Sequence, residues 1–180
     1  MAATNIHPKE DDLREFNATF KNSTKNKNGT KIKFVIWEIQ KAKAKNPEDS
    51  DEEIELDQVC IASQHPPVEE AKGEVGEDEY ENAQFDALVN VIRESYADKP
   101  CFICYQINGK SPDGRPQDKL VTIGWNPDDG NIRLKMKYAG TEGHIKDKFP
   151  SSSGAIVKFS DFGEFNIAEL QRDCGLAVTA

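Results

Sequence analysis

The segment from Trp125 to Phe149 limits the fold more than any other part of the chain, because it has to form a helix with two different sides. On a helical wheel at about 100° per residue, one side has the spacing of residues packed onto a core. This side carries Leu134, Tyr138, Ile145 and Phe149. The opposite side carries Ile132, Lys135, Met136, Ala139, Gly143 and Lys146, with Arg133 at its border. A methionine among basic residues on the outer side of a packed helix indicates contact with a partner protein.

The distribution of charge agrees with a helix that meets a partner. The chain has a formal net charge of −9 over 180 residues, which disfavours non-specific binding to nucleic acid. From Asn131 to Phe149, however, five basic residues outnumber two acidic ones, so this segment carries +3 and the remainder −12. A cationic helix on an anionic domain predicts an oriented encounter with an acidic surface. A solvated polar face is the alternative that charge alone leaves open.

The sequence contains no sign of a membrane segment or of export. No run of about 18 apolar residues occurs, and the N-terminal sequence MAATNIHPKEDD lacks the basic and apolar regions of a signal peptide. We therefore expect a cytosolic, monomeric protein without stable membrane insertion. The four cysteines are expected to be free thiols.

Catalytic motifs are weak or missing, and we expect no catalytic residue, cofactor or metal. Cys101 and Cys104 have C-x-x-C spacing, but both lie in a predicted strand, three positions apart, so they should face opposite ways. The three histidines are too scattered for a metal site, and no phosphate-binding loop is present. His144 lies at the edge of the outer side of the helix, where it is a candidate pH sensor or an exposed bystander.

Hydrophobic periodicity predicts the order helix, two strands, helix, two strands, helix, strand, helix. This order indicates an α/β domain with a mixed sheet between helices. The predicted helices begin at Pro8, at Asn82, near Ile132 and after an N-cap at Asn166. The predicted strands are 32–39, 54–62, 101–107, 120–125 and 155–159. Residues 1–7 are expected to form a flexible arm, and residues 41–50 and 63–81 polar loops.

From Trp125 onward the sequence resembles the actin-depolymerising factor/cofilin family. Its members have a W-x-P-D-like turn followed by a helix of the form (R/K)-x-K-M-x-Y-A-S-S. The matching residues, in one ungapped run, are Trp125, Pro127, Asp128, Arg133, Lys135, Met136, Tyr138 and Ala139. Weaker similarity follows the first helix, the first strand, the strand before Trp125 and the C-terminal segment. The resemblance covers a domain over 8–176, apart from acidic loop insertions near 40–52 and 63–81.

This resemblance implies a single ADF-homology domain, with a five-stranded mixed sheet between two pairs of helices. It also implies binding to actin monomers and filaments without catalysis, the long helix entering the cleft between two actin subdomains. By position, the residues of that contact are Arg133, Lys135, Met136 and Lys146, with Ile6 and the N-terminal arm beside them. The filament-specific contacts would be Lys119, Arg172 and Asp173.

Several positions depart from the family pattern. Glu142-Gly143 stands where members usually have Lys-Asp, which reverses one cationic contact. Arg172-Asp173 reverses the family's acid-then-base order, so we expect weak severing while monomer binding persists. Thr4 is the candidate for regulatory phosphorylation near the N-terminus. Phosphoinositide head groups are expected to compete for the lysines of the long helix.

The sequence thus predicts an actin-binding protein that promotes filament depolymerisation and turnover. Within the same fold, the alternative is a relative that binds filament sides or the actin-related branching complex without depolymerising. Two further hypotheses come from other classes. One is a cytosolic thiol enzyme that uses Cys101 and Cys104, and the other is a lipid-surface protein led by the basic helix.

Overall fold

The computed structural model describes residues 4–21, 32–46, 48–49, 51–68, 77–149 and 155–178. These residues form four α-helices and five strands. The helices are α1 (Glu10–Phe16), α2 (Glu77–Ser95), α3 (Ile132–Lys148) and α4 (Ile167–Asp173). The strands are β1 (Phe34–Lys45), β2 (Glu53–His65), β3 (Cys101–Lys110), β4 (Pro116–Trp125) and β5 (Val157–Phe159). A π-helical turn, Asn17–Lys21, continues α1.

The strands form one mixed sheet with the order β2-β1-β3-β4-β5. Neighbouring strands are antiparallel except β4 and β5, which are parallel. A parallel pair needs a crossover connection, and α3 lies in the connection between these two strands. The expected five-stranded mixed sheet is confirmed.

Helices cover both faces of the sheet and give the domain two cores. The core under α2 and α4 includes Leu88, Ile92, Phe165 and Leu170. The core under α1 and α3 includes Phe16, Phe20, Tyr138 and Ile145. Strand β3 is buried from Cys101 to Ile107, because its alternate side chains enter the two cores in turn.

The loop expected near residues 40–52 is shorter than predicted, because β1 extends to Lys45 and β2 begins at Glu53, and the two strands form a long hairpin. Lys41 lies opposite Asp57, and Lys43 lies opposite Glu55. The Lys41 Nζ is 3.5 Å from the Asp57 carboxylate. Alternating lysines on β1 thus meet alternating acids on β2, which favours strand pairing although neither segment is strongly apolar.

The acidic loop expected over 63–81 is shorter than predicted. Residues 63–65 belong to β2, and α2 begins at Glu77 rather than at Asn82. The helix extends because Glu81 is buried, where its carboxylate is 2.8 Å from the Lys33 Nζ. Gln84 also receives a hydrogen bond of 2.7 Å from the Val68 amide. Residues 69–76 lie outside the described part of the chain.

The first helix begins later than predicted, at Glu10 instead of Pro8. Residues before it pair with β2: the Lys9 amide donates to the Val59 carbonyl at 2.8 Å, and the Val59 amide donates to the His7 carbonyl at 2.9 Å. This pairing holds the chain extended, so helical geometry starts only after it.

The other predicted elements are confirmed, with shifts at their ends. The third and fourth strands each extend further into their shared hairpin than predicted, to Lys110 and from Pro116. The expected N-cap at Asn166 is confirmed, since its side chain accepts a hydrogen bond of 3.0 Å from the Glu169 amide.

Candidate protein-binding site

The start of α3 is fixed by a tight turn and a side-chain cap. The Asn131 side chain accepts hydrogen bonds from the amides of Arg133 and Leu134 at 3.0 and 3.2 Å. In the turn before it, a Cβ atom on Gly130 would lie 3.0 Å from the Asp98 carbonyl oxygen and 3.1 Å from that of Pro127, so a side chain there would be crowded by the backbone. The cap and the turn together set where the helix begins and which side faces outward.

The inner side of α3 packs against the sheet. Tyr138, Thr141 and Ile145 are buried, and the Tyr138 hydroxyl accepts a hydrogen bond of 2.8 Å from the Ile39 amide. The ring of Tyr138 packs 5.3 Å from the ring of Phe102. These contacts confirm the inner side expected from the helical wheel.

The outer side of α3 carries two large apolar side chains in solvent. Ile132 is 73% exposed and Met136 is 54% exposed, and they are one turn apart. Arg133 is exposed beside them and Lys146 is exposed near the C-terminal end of the helix, and neither forms an ion pair with any residue that the structure describes. Exposed apolar side chains and unpaired cations on one helix are typical of a protein-contact surface.

Two lysines of α3 are held by neighbouring residues. The Lys135 Nζ donates to the Asp128 carbonyl at 3.2 Å, so its side chain lies along the turn before the helix. Lys137 forms an ion pair of 2.9 Å with Asp57 on β2. Lys137 was expected among the lysines open to phosphoinositides, but this ion pair and the nearby Lys41 involve it in joining α3 to the hairpin.

The flexible arm expected over residues 1–7 is wrong for residues 4–7, which pack against α3 and β2; residues 1–3 lie outside the described part of the chain. The Thr4 amide donates to the Gly140 carbonyl at 3.0 Å, and the Thr4 and Thr141 hydroxyls are 2.8 Å apart. The His144 Nε2 donates to the Thr4 carbonyl at 2.8 Å. The arm therefore lies along the C-terminal half of α3.

Ile6 and His7, two residues of this arm, both contact the rest of the domain. Ile6 is only 9% exposed and packs into the core under α1 and α3, so it supports the arm and is not available for direct contact. The rings of His7 and His144 are 3.9 Å apart. Burial lowers the pKa of His7, and the nearby His144 and Lys148 lower it further.

Lys119, Arg172 and Asp173, the candidate filament contacts, lie near one another at the C-terminal end of α4. The Lys119 Nζ donates to the Cys174 carbonyl at the end of that helix. Arg172 forms an ion pair of 2.5 Å with Glu169 on the same helix, and Asp173 is exposed. Both cations therefore already have acceptors within the domain.

The geometry of the cysteines contradicts a thiol enzyme at Cys101 and Cys104. All four cysteines are free and buried. Cys101 lies in the core under α2 and α4, whereas Cys104 lies in the core under α1 and α3. Burial raises the pKa of Cys101 well above its usual value and that of Cys104 to about 12, so neither is a ready nucleophile.

Neither a metal cluster nor a spanning helix is found in the described ranges. No three His, Cys, Asp or Glu side chains there converge on a possible metal site. None of the helices is long and apolar enough to cross a membrane.

Sequence reasoning missed Lys158, which lies on β5 next to α3. Its Nζ is 2.6 Å from the Glu142 carboxylate. The signal was present as the exposed middle position of the short apolar strand Val157–Phe159, but the helix facing that position could not be read from the sequence. Glu142, noted only as a reversed charge, therefore has a cationic partner.

An α/β sandwich that exposes apolar and basic side chains along one side of a long helix has the features of a protein-binding module. A sequence model of the Cofilin/tropomyosin-type actin-binding protein family matches residues 11–175. The chain belongs to this family.

Proteins similar to this chain align with it over different fractions of their length. Twinfilin of Drosophila melanogaster is 37% identical over 68 residues, which are 38% of this chain and 18% of twinfilin, so the match spans about a fifth of that relative. Actin depolymerization factor 2 of Plasmodium berghei aligns over 97% of this chain and 99% of its own, with a TM-score of 0.62 and 14% identity. The ADF-like UNC-60A protein of Caenorhabditis elegans aligns over 96% and 95%, with a TM-score of 0.61 and 17% identity. The two structures show the same fold.

Proposed function

We propose that this protein binds actin through the outer side of α3. The observation that carries the proposal is the exposure of Ile132 and Met136, with the exposed cations Arg133 and Lys146 on the same helix, whose other side is buried. Lys135 borders the same surface, with its ammonium held at the Asp128 carbonyl. Apolar anchors supply contact area, and the cations orient the encounter with an acidic actin surface.

We further propose that the protein acts as a cytosolic monomer that promotes depolymerisation and turnover of filaments. Binding one nucleotide state or twist of actin more tightly than another shifts the balance between monomer and filament, and no covalent chemistry is needed. The candidate filament contacts at the end of α4 support the expected weakness of severing, because the Lys119 ammonium and the Arg172 guanidinium already have partners there. The alternative, a relative that binds filament sides or the branching complex without depolymerising, is favoured by the same loss of available charge at α4, whereas the match at Lys135-Met136 favours actin itself.

Three modes of regulation follow from the same surface. A phosphate on Thr4 would break its contact with Thr141 and place negative charge beside α3. Phosphoinositide head groups would compete for Lys146 and Lys148, which are exposed. His144 is the proposed pH sensor, since it lies at the edge of the outer side of α3 and contacts the Thr4 carbonyl.

Co-sedimentation with filamentous actin between pH 6 and 8 tests the proposal. We expect wild type to raise the amount of actin in the supernatant. Protein in the pellet without added soluble actin would support the side-binding alternative instead. No protein in the pellet and no added soluble actin at any pH would refute depolymerisation and direct attention to the branching complex.

A further inference from the structure

A shallow cavity of about 250 Å³ continues the outer side of α3 toward β5. It is lined by Glu142, Gly143, Lys146, Ala155, Ile156 and Lys158. We propose that this cavity and the Lys158 ammonium form a second contact point for bound actin, which places there an apolar side chain with a carboxylate next to it. This inference rests on the proposed function.

The sheet holds Lys158 in position beside the cavity. Lys158 lies opposite Gly124 in the parallel register of β4 and β5. A Cβ atom on Gly124 would be 3.2 Å from the Ile156 Cγ2 and 4.0 Å from the Lys158 Cγ. The bare backbone at Gly124 therefore leaves room for Ile156 and for the aliphatic stem of Lys158 to lie over the edge of the sheet.

The charge at the cavity favours an acidic partner group. The Lys158 Nζ is 2.6 Å from the Glu142 carboxylate, but the Lys158 side chain is 64% exposed and the Glu142 side chain only 23%. An incoming carboxylate therefore meets Lys158 and the exposed Lys146 before it meets Glu142. Glu142 stands where family members usually have a lysine, and Lys158 of β5 supplies a cation at that place instead.

The wall and floor of the cavity suit an apolar side chain. Ile156 packs against the core under α1 and α3 and forms the floor. On the helix side, a Cβ atom on Gly143 would meet nothing within 4 Å, so the space is open. Glycine is a poor residue inside a helix, and Gly143 lies on the same side of the helical wheel as Met136. The cavity is thus continuous with the proposed actin contact.

The charge assignment is tested by titrating fluorescently labelled monomeric actin. We expect Lys158→Ala to bind about fivefold more weakly, as expected for an exposed charge that meets a partner. Glu142→Gln should bind about twofold more tightly, because it frees Lys158 and removes a repulsive charge. Lys43→Ala is the matched control, since Lys43 is an exposed lysine paired with Glu53 on the hairpin. A purely structural ion pair predicts unchanged affinity for Lys158→Ala and no gain for Glu142→Gln, and either result would overturn the proposal.

Filling the cavity provides an independent test. Gly143→Ala and Gly143→Leu should fold at least as stably as wild type, because both residues favour the helix more than glycine does. Gly143→Leu should nevertheless bind actin about tenfold more weakly, because its side chain occupies the space proposed for the partner. Wild-type affinity in Gly143→Leu would overturn the inference.

The two proposals fail in distinguishable ways. If wild type does not bind monomeric actin, the proposed function itself fails. If wild type binds, Lys135→Ala/Met136→Ala does not, and all cavity variants bind like wild type, only the inference about the cavity is wrong. Chemical denaturation of every variant separates lost contacts from lost folding.

Discussion

Lys33 and Glu81 show how single residues fix the relation between the sheet and α2. The two side chains are each 2% exposed, and their charged atoms are 2.8 Å apart. The Lys33 Nζ also donates to the Asn108 side chain at 2.7 Å, and the Tyr105 hydroxyl donates to Glu81 at 2.5 Å. Every charge in this cluster has a partner, which a buried ion pair needs if it is to be tolerated.

Removing one member of this pair should be costly. Lys33→Met leaves the Glu81 carboxylate buried with only the Tyr105 hydroxyl as a described donor, and we expect a loss of about 3–5 kcal/mol in the free energy of unfolding. Denaturant titration measures this loss. The exposed pair of Lys43 and Glu53 is the control, and Lys43→Ala should cost less than about 1 kcal/mol. Equal losses in the two variants would contradict the account.

His7 should make the stability of the domain fall in mild acid. Its pKa is lowered in the folded state by burial, by His144 and by Lys148, so the unfolded chain takes up a proton first as the pH falls. Stability is therefore highest above the ordinary histidine pKa of about 6.5 and declines as the pH drops through the lower folded value.

The variant His7→Gln isolates this effect. Burial also lowers the pKa of His65, which gives the same direction in both proteins, so the difference between wild type and variant is the informative quantity. Denaturation midpoints at pH 7.5 and 5.5 should fall less in His7→Gln than in wild type. An identical fall in both proteins would show that His7 does not contribute.

At the scale of elements, the hairpin of β1 and β2 is the clearest addition to the sheet. β1 pairs with β3 only over Phe34–Trp37, so the hairpin beyond that point has a strand partner on one side alone. Beyond that point the hairpin contacts the rest of the domain through the ion pair from Lys137 to Asp57, the hydrogen bond from the Ile39 amide to the Tyr138 hydroxyl, and the pairing of Val59 with His7 and Lys9. Most residues of the two cores lie outside this part of the hairpin.

Shortening the hairpin should therefore be tolerated. If residues 44–54 are replaced by Asn-Gly, Lys43 and Glu55 become neighbours across a two-residue turn, in the register that they already have. We expect the free energy of unfolding to change by about 1 kcal/mol or less, since those of the removed residues that the structure describes are not part of either core. A loss of about 3 kcal/mol or more in a denaturant titration would mean that the hairpin supports the domain.

Sequence periodicity predicted the helices and strands that have a strong apolar pattern. It did not predict the hairpin of β1 and β2, where charged side chains that pair across the strands take the place of apolar ones. The two sides of α3 follow from spacing alone, and burial of Tyr138 and Ile145 confirms the inner one. The hairpin could not be predicted in the same way, because its lysines and acids are stabilised by each other across the strands. The docking of Thr4 and the pairing of Lys158 depend on contacts more than 10 residues distant, which no local pattern reports.

At the scale of the whole molecule, the uneven distribution of charge affects how the protein meets a partner. The segment 131–149 carries +3 on a chain whose remainder carries −12. This polarity orients the molecule toward an acidic partner before contact, so the association rate should fall as salt is added, while dissociation changes less. The proposed actin contact uses the exposed apolar side chains of Ile132 and Met136 on the basic side of α3.

The most direct test of the proposed actin contact is the affinity of wild type and of Lys135→Ala/Met136→Ala for monomeric actin, measured by titration. Both side chains lie outside the cores, and Met136 is 54% exposed, so folding should be preserved. The account predicts that wild type binds and that the double variant binds at least about tenfold more weakly, while Lys43→Ala binds like wild type. Equal binding by wild type and the double variant would contradict the assignment of α3 as the actin contact.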